Sequence, residues 1–213
     1  MMDVKATDLN KALRKHVEPL LKDAGFDDVT GRKFWRSVDR KIDTVQISSL
    51  STYRALTDNA TTASLHVRLG VSLPRYGVRF DPFHRDYIKE GPKGPRPDEA
   101  QMPIRGVICP AGSPPMKMGR WGWEYKSLWR IDTIEEAEEA AIGLKQQFES
   151  YALNWLDRVW DLDAILQLLE SEERKLILIK AENGSHLWLD AEMPSSKIRQ
   201  AHIEMVRNAL SHR

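Results

Sequence analysis

The side chains best suited to binding in this sequence lie in its middle third, between residues 74 and 131. Six of them are aromatic or basic: Tyr76, Arg79, Arg120, Trp121, Trp123 and Lys126. Aromatic rings interleaved with arginine and lysine can stack on the bases and pair with the phosphates of single-stranded nucleic acid. The same residue types also anchor protein interfaces. The alternative is that the two tryptophans cover an open face of a sheet and belong to the core.

A second group could hold a metal ion. Asp81, His84 and Asp86 offer carboxylate and imidazole ligands over a short stretch of chain. They lie in a proline-rich segment with no helix to fix their directions, so an exposed polar loop is the favoured interpretation.

Thiol chemistry is not expected at Cys109. Its neighbours Val107, Ile108 and Pro110 are apolar and predict a buried, unreactive thiol.

The familiar catalytic motifs are missing from the sequence. There is no H-E-x-x-H helix, no Walker loop and no G-x-S-x-G elbow, and a single cysteine excludes a four-cysteine zinc site. The glycine-rich stretch 91–95 contains prolines, which remove the amide donors that a phosphate loop requires. The sequence therefore predicts neither a cofactor nor a catalytic residue.

Composition indicates an ordinary globular chain. With 213 residues, of which 41% are hydrophobic and 30% charged, it suits one domain spanning residues 1–213. No apolar run approaches the roughly 20 residues of a membrane span. The single cysteine and the absence of a secretory signal pattern favour the cytoplasm.

Charge is unevenly distributed along the chain, although the net charge is only +1. Residues 74–131 carry 11 basic and 6 acidic side chains, and residues 132–173 carry 2 basic and 12 acidic ones. Such blocks indicate two faces for different partners, or simply neutralise each other in the fold.

Hydrophobic periodicity divides the chain into three parts. Residues 1–73 predict a helix, interrupted at Pro19, and three strands, the third at 63–73 with His66 on its solvent-exposed side. Residues 74–131 contain nine prolines and predict a long irregular region, with short extended pieces at 76–80 and 104–108 and a returning strand at 124–131. Residues 132–213 predict helices, the first capped by Thr133 and Glu136. Within them, residues 176–191 fit a hairpin or a helix.

Four segments of the first third resemble a bacterial family known only as a domain of unknown function. They are Val17–Phe26, Gly31–Arg36, Val45–Ser48 and Leu69–Val71. Members of that family typically open with a helix ending in PLLKxxGF, followed by an aromatic strand that ends in arginine. The likeness covers about residues 7–73 and is weaker in the helix after Thr133. It implies a helix packed on an antiparallel sheet in a cytoplasmic protein, and it brings no activity and no functional residues.

Together these patterns predict an α+β protein with an antiparallel sheet of four or five strands, helices on one face and a long Pro/Gly-rich loop region. The expected function is a non-enzymatic protein-interaction module of the accessory or immunity type, with a protein partner. Binding of single-stranded nucleic acid is the alternative, and a metal-dependent enzyme comes third.

Overall fold

The structure is a computed structural model. It describes residues 4–38, 41–74, 88–98, 102–111, 117–119, 122–124, 127–158, 162–171, 175–190 and 196–212. For 117–119, 122–124, 175–178 and 189–190 it describes the backbone alone.

Seven α-helices are found in these ranges. They are Ala6–His16 (α1), Glu18–Asp23 (α2), Thr52–Thr57 (α3), Ile134–Gln147 (α4), Leu153–Asp157 (α5), Leu162–Glu170 (α6) and Lys197–Ser211 (α7). A π-helical turn, Phe148–Ala152, joins α4 to α5.

Local sequence explains where the helices start and stop. Pro19 lies in the first turn of α2, where a missing amide costs nothing, so the predicted interruption separates α1 from α2. Gly25 has a φ of 88°, which only glycine adopts readily, and follows the end of α2. The capping box at α4 is confirmed: the Thr133 hydroxyl accepts from the amide of Glu136 at 3.1 Å, and the Glu136 carboxylate accepts from the amide of Thr133 at 3.1 Å.

Eleven strands are described. They are Asp28–Thr30 (β1), Lys33–Val38 (β2), Lys41–Ser49 (β3), Leu65–Ser72 (β4), Lys89–Gly91 (β5), Gly94–Arg96 (β6), Ile104–Cys109 (β7), Lys117–Gly119 (β8), Gly122–Glu124 (β9), Lys175–Lys180 (β10) and His186–Asp190 (β11).

Seven of these strands form one antiparallel sheet in the order β1-β2-β3-β4-β7-β11-β10. The prediction of an α+β protein with an antiparallel sheet is confirmed, but the expected four or five strands were too few. The extended piece expected at 104–108 is confirmed as β7, but its pairing with both β4 and β11 was not predicted. The remaining strands form two separate hairpins, β5-β6 and β8-β9.

Two further expectations about strands are settled by the structure. Residues 175–190 form a hairpin, which decides between the two alternatives for that segment. The returning strand expected at 124–131 was wrong: β9 ends at Glu124, and the described part after it makes only an isolated bridge between Trp129 and Leu65.

One face of the sheet packs against the helices. The alternate residues Leu65, Val67, Leu69 and Val71 of β4 lie in the same buried cluster as Leu144 of α4 and Phe148 of the π turn. Side chains on one face of a strand recur at every second residue, which is the pattern seen here. The expected packing of the long helix on the sheet is therefore confirmed.

The opposite face is covered in part by the β5-β6 hairpin. Trp35 of β2 donates its indole hydrogen to the carbonyl of Pro97 at 2.8 Å, and it packs with Ile42 and Met102. Arg96 bridges to both carboxylate oxygens of Asp28 in β1. Apolar contacts and an ion pair therefore close one end of this face.

A buried ion cluster links the sheet to the helical layer. Arg36 donates to Oδ2 of Asp43 at 3.0 and 2.7 Å, to the carbonyl of Ala24 at 2.9 Å, and lies 2.7 Å from Oδ1 of Asp157. Lys41 Nζ lies 3.2 Å from the same oxygen of Asp43. Asp43 is fully buried, and burial raises its pKa against the opposing effect of the two cations.

Candidate functional site

The binding residues predicted from the sequence lie almost wholly outside the described part. Tyr76, Arg79, Arg120, Trp121 and Lys126 are outside it, and Trp123 is described only as backbone in β9. The β8-β9 hairpin shows that this stretch is not entirely irregular. The role of these side chains stays a prediction.

The possible metal group, Asp81, His84 and Asp86, also lies outside the described residues. Among the residues that are described, no group of three His, Cys, Asp or Glu side chains could hold a metal ion.

The prediction for Cys109 is confirmed. Its thiol is fully buried, and burial raises its pKa to about 12. Because the thiolate is the nucleophilic form, burial disfavours a reaction at this sulfur.

His66 is half-buried, whereas a solvent-exposed position was expected. Its Nδ1 lies 3.0 Å from Oγ of Ser127, and burial lowers its pKa. A Ser-His pair can act as nucleophile and base, but the nucleophile must be accessible and a third group must orient the base. Ser127 is only 6% exposed, and within the described residues no carboxylate bonds to the imidazole. The pair therefore serves to hold the segment after residue 127 against β4.

A cleft of about 200 Å³ opens between α1 and the turn that joins β1 to β2. Its lining residues are Asn10, Leu13, Arg14, Val17, Glu18, Gly31, Arg32, Phe34 and Ile47. Gly31 has a φ of 62°, and this turn directs the Arg32 side chain towards α1. The cleft therefore combines polar walls with an apolar floor.

Arg32 is the central polar group of the cleft. Its Nε donates to Oδ1 of Asn10 at 2.6 Å, and its terminal nitrogens donate to the hydroxyl of Ser49 and, at 3.3 Å, to the carbonyl of Ala6. All three acceptors are neutral. Burial lowers the pKa of this guanidinium, and no acidic group is among the causes of the shift.

A second feature is an exposed surface on α3, formed by Tyr53, Arg54 and Leu56, here called the α3 surface. Tyr53 is 76% and Leu56 79% exposed, the highest exposures among the large hydrophobic residues that the structure describes. The opposite side of the helix is anchored by Ala55, which is buried. The helix thus presents its largest side chains to solvent and its smallest one to the protein.

Sequence reasoning missed both features. The only signal for α3 is Ser51, whose side chain accepts from the amide of Arg54 at 3.3 Å as an N-cap. The spacing of Tyr53 and Leu56 by three residues then places them on one helix face. Nothing in the sequence indicates that Arg32 would lie beside Asn10, because this contact depends on tertiary packing.

Comparison with known proteins assigns no identity to this chain. No family model, no curated protein and no solved structure matches it.

Proposed function

We propose that this chain is a non-enzymatic protein-interaction module, and that the α3 surface is one of its docking surfaces. The observation that carries the proposal is the exposure of Tyr53 and Leu56 on one face of a short helix. Burying a tyrosine against a partner removes about 150–250 Å² of surface from water. Burying a leucine removes a somewhat smaller, wholly apolar area. Folding alone gains nothing from leaving both side chains in water.

The α3 surface is held in place before any partner arrives. At its N-terminal end Ser51 caps the helix, and beyond its C-terminal end the carbonyl of Asn59 accepts from Arg130 at 2.5 Å. Thr61 donates to the carbonyl of Ile131, which fixes the following loop. A preorganised surface loses little conformational entropy on binding, so more of the contact energy appears as affinity.

The residue types define the partner surface. Tyrosine and arginine are enriched among the residues that dominate binding energy at interfaces, and Leu56 adds aliphatic area beside them. Arg54 is exposed and makes the surface cationic at its centre. A partner protein with an apolar pocket bordered by carboxylates is therefore complementary to it.

The experiment first identifies the partner protein and then measures its affinity for the parent chain and for variants. A photo-crosslinking amino acid is placed at residue 53 and, as a control, at Lys11, another exposed helical position. The protein captured from position 53 alone is purified. Its affinity is then measured for the parent, for Tyr53→Ala, for Leu56→Ala and for Ile142→Ala, the last being an exposed apolar residue on α4.

We expect Tyr53→Ala to weaken binding by about 30-fold, which corresponds to roughly 2 kcal/mol, with no change in the melting temperature. Leu56→Ala should cause a smaller loss, and Ile142→Ala should have no effect. Equal affinities of the parent and Tyr53→Ala, or no protein captured specifically at residue 53, would contradict the proposal.

A nucleic-acid interface formed by Tyr76, Arg79, Arg120, Trp121, Trp123 and Lys126 remains the alternative prediction. The double variant Trp121→Ala/Trp123→Ala tests it with a thermal melt and a salt-titrated binding assay on single-stranded oligonucleotides. An unchanged melt with lost, salt-dependent binding would favour this alternative, since each lost stack is worth about 1–3 kcal/mol. A melt lowered by many degrees would place both tryptophans in the core.

The proposal includes a cytoplasmic location and membership of the uncharacterised bacterial family described above. Within the described part of the chain, no helix has the length and apolar character needed to cross a membrane. The packing of helices on an antiparallel sheet agrees with what the resemblance implies.

A further inference from the structure

We propose that the cleft between α1 and the β1-β2 turn is a binding site for a small organic carboxylate. Arg32 and Arg14 would hold the carboxylate, and the apolar floor of the cleft would hold the hydrocarbon part. This inference is independent of the α3 surface, because the two regions share no residue.

Arg32 carries a charge that its three protein acceptors do not balance. A guanidinium has five N–H donors, and the three hydrogen bonds to Asn10, Ser49 and Ala6 leave two of them unused. None of these acceptors carries a charge, so a half-buried cation lies in the cleft without a counter-ion from the described residues. Buried charges in proteins are normally paired. A bound anion would supply the missing partner.

The charged groups around Arg32 in the cleft include a second cation. Arg14 lines the same cleft from α1, is exposed, and makes no hydrogen bond or ion pair with any residue in the described ranges. The only acidic side chain in the lining, Glu18, forms an ion pair with Lys22 at 2.8 Å. The cleft therefore has two cations available to an incoming anion.

The floor of the cleft is apolar. Leu13, Val17, Phe34 and Ile47 line the cleft and are each at most 6% exposed, so little of the floor is wetted. The cleft volume of about 200 Å³ is sufficient for a small organic molecule. A short hydrocarbon chain would cover the small apolar area that is still exposed in the cleft, which is favourable.

These features distinguish a carboxylate from inorganic phosphate. Carboxylate and phosphate can both pair with a guanidinium through two parallel hydrogen bonds, so the apolar floor is the feature that separates them. A phosphate would leave the apolar floor uncovered and would have to place more oxygens near it without donors. The same carboxylate chemistry can come from a free acid or from the C-terminus of a polypeptide with an apolar last residue.

The experiment is an NMR titration of the full chain at constant ionic strength with four probes. They are isovalerate, its neutral amide isovaleramide, inorganic phosphate, and a short acetylated peptide ending in leucine with a free carboxylate. We expect saturable shifts of the signals of Leu13, Val17 and Ile47 with isovalerate, in the millimolar range that suits so small a ligand. The amide and phosphate should bind at least tenfold more weakly. Tighter binding of the peptide than of isovalerate would identify a polypeptide C-terminus as the source, and the reverse order would identify a free acid.

The matched variants lie on the same helix. Arg14→Gln should weaken isovalerate about tenfold, because it removes a hydrogen bond to a charged group, and it should leave the melting temperature unchanged. Lys11→Gln removes the same charge from α1 outside the cleft and should leave the affinity within twofold. Arg32→Lys keeps the positive charge but loses the planar guanidinium that can form two parallel hydrogen bonds with a carboxylate, so it should also weaken binding.

Because Arg32 also bonds to three parts of the protein, its variant could lose stability, and Arg14→Gln then decides. The proposal fails if the amide and the carboxylate bind equally, if no probe gives a saturable shift, or if Arg14→Gln and Lys11→Gln have the same affinity as the parent.

Discussion

Arg36 offers a direct comparison of a buried and an exposed ion pair in one protein. Its Nη2 lies 2.7 Å from Asp43 and 2.7 Å from Asp157, but the side chain of Asp43 is 0% exposed and that of Asp157 is 56% exposed. The two distances are equal, but Asp43 also accepts from Nε of Arg36 at 3.0 Å and lies 3.2 Å from Lys41 Nζ. The difference between Asp43→Ala and Asp157→Ala therefore measures what burial and these additional contacts contribute together.

The expected magnitudes follow from that difference. Asp43→Ala leaves Arg36 and Lys41, whose side chains are 8% and 11% exposed, without their buried counter-ion. Removing one partner from a buried pair costs about 3–5 kcal/mol. Asp157→Ala removes a solvated pair, which is worth about 0–1 kcal/mol.

For a protein of this size, 1 kcal/mol shifts the melting temperature by about 2–4 °C. Asp43→Ala should therefore melt about 6–20 °C below the parent, and Asp157→Ala less than about 4 °C below it. Urea unfolding of the two variants and the parent gives the same comparison at constant temperature. If the two variants lose stability equally, or if Asp43→Ala loses less than about 1 kcal/mol, burial does not control this cluster.

Four other substitutions test the packing and the electrostatics. Phe148→Ala should cost about 3–5 kcal/mol in urea unfolding, since the ring is fully buried between the helices and the sheet. Gly91→Ala should destabilise the β5-β6 hairpin by about 1–3 kcal/mol, because a Cβ would lie 2.7 Å from Cδ of Arg96 and closer still to its Nε. Gly143→Ala meets only ordinary contacts in α4 and should be neutral or stabilising by up to about 1 kcal/mol. Burial lowers the pKa of His66 in the folded protein below the value of about 6.5 in the unfolded chain. The contribution of the neutral His66 to the free energy of unfolding is therefore complete above about pH 6.5 and is lost as the pH falls through the lower pKa of the folded state. His66→Gln should remove this part of the pH dependence, measured as the difference between the two stability curves. Identical curves of stability against pH for the parent and for His66→Gln would contradict the lowered pKa of His66.

Local signals in the sequence were sufficient for the helices. Pro19 and the Thr133–Glu136 capping box each act within a few residues, and they mark helix starts that the structure confirms. The β2-β3 hairpin was equally accessible, because its two strands are adjacent in the chain.

The extent of the sheet was not accessible in the same way. β7 is six residues long and lies among prolines, and it becomes a central strand only by pairing with β4 and β11. Such pairing depends on contacts between distant parts of the chain, which the period of a short strand does not encode. The cleft has the same origin, since Arg14 and Arg32 are brought together by the packing of α1 on the sheet.

The position of β7 between β4 and β11 also governs the order in which the protein can fold during synthesis. Val67 pairs with Ile108, and Ile108 pairs with Leu187, so closing the sheet joins three remote parts of the chain. Contacts this distant in sequence slow folding, because loops must close before the contacts form. A nascent chain that has not reached His186 carries β7 as an exposed edge strand, which can pair with other chains. The last hairpin of the sheet therefore also serves as the element that ends this exposure once translation has passed it.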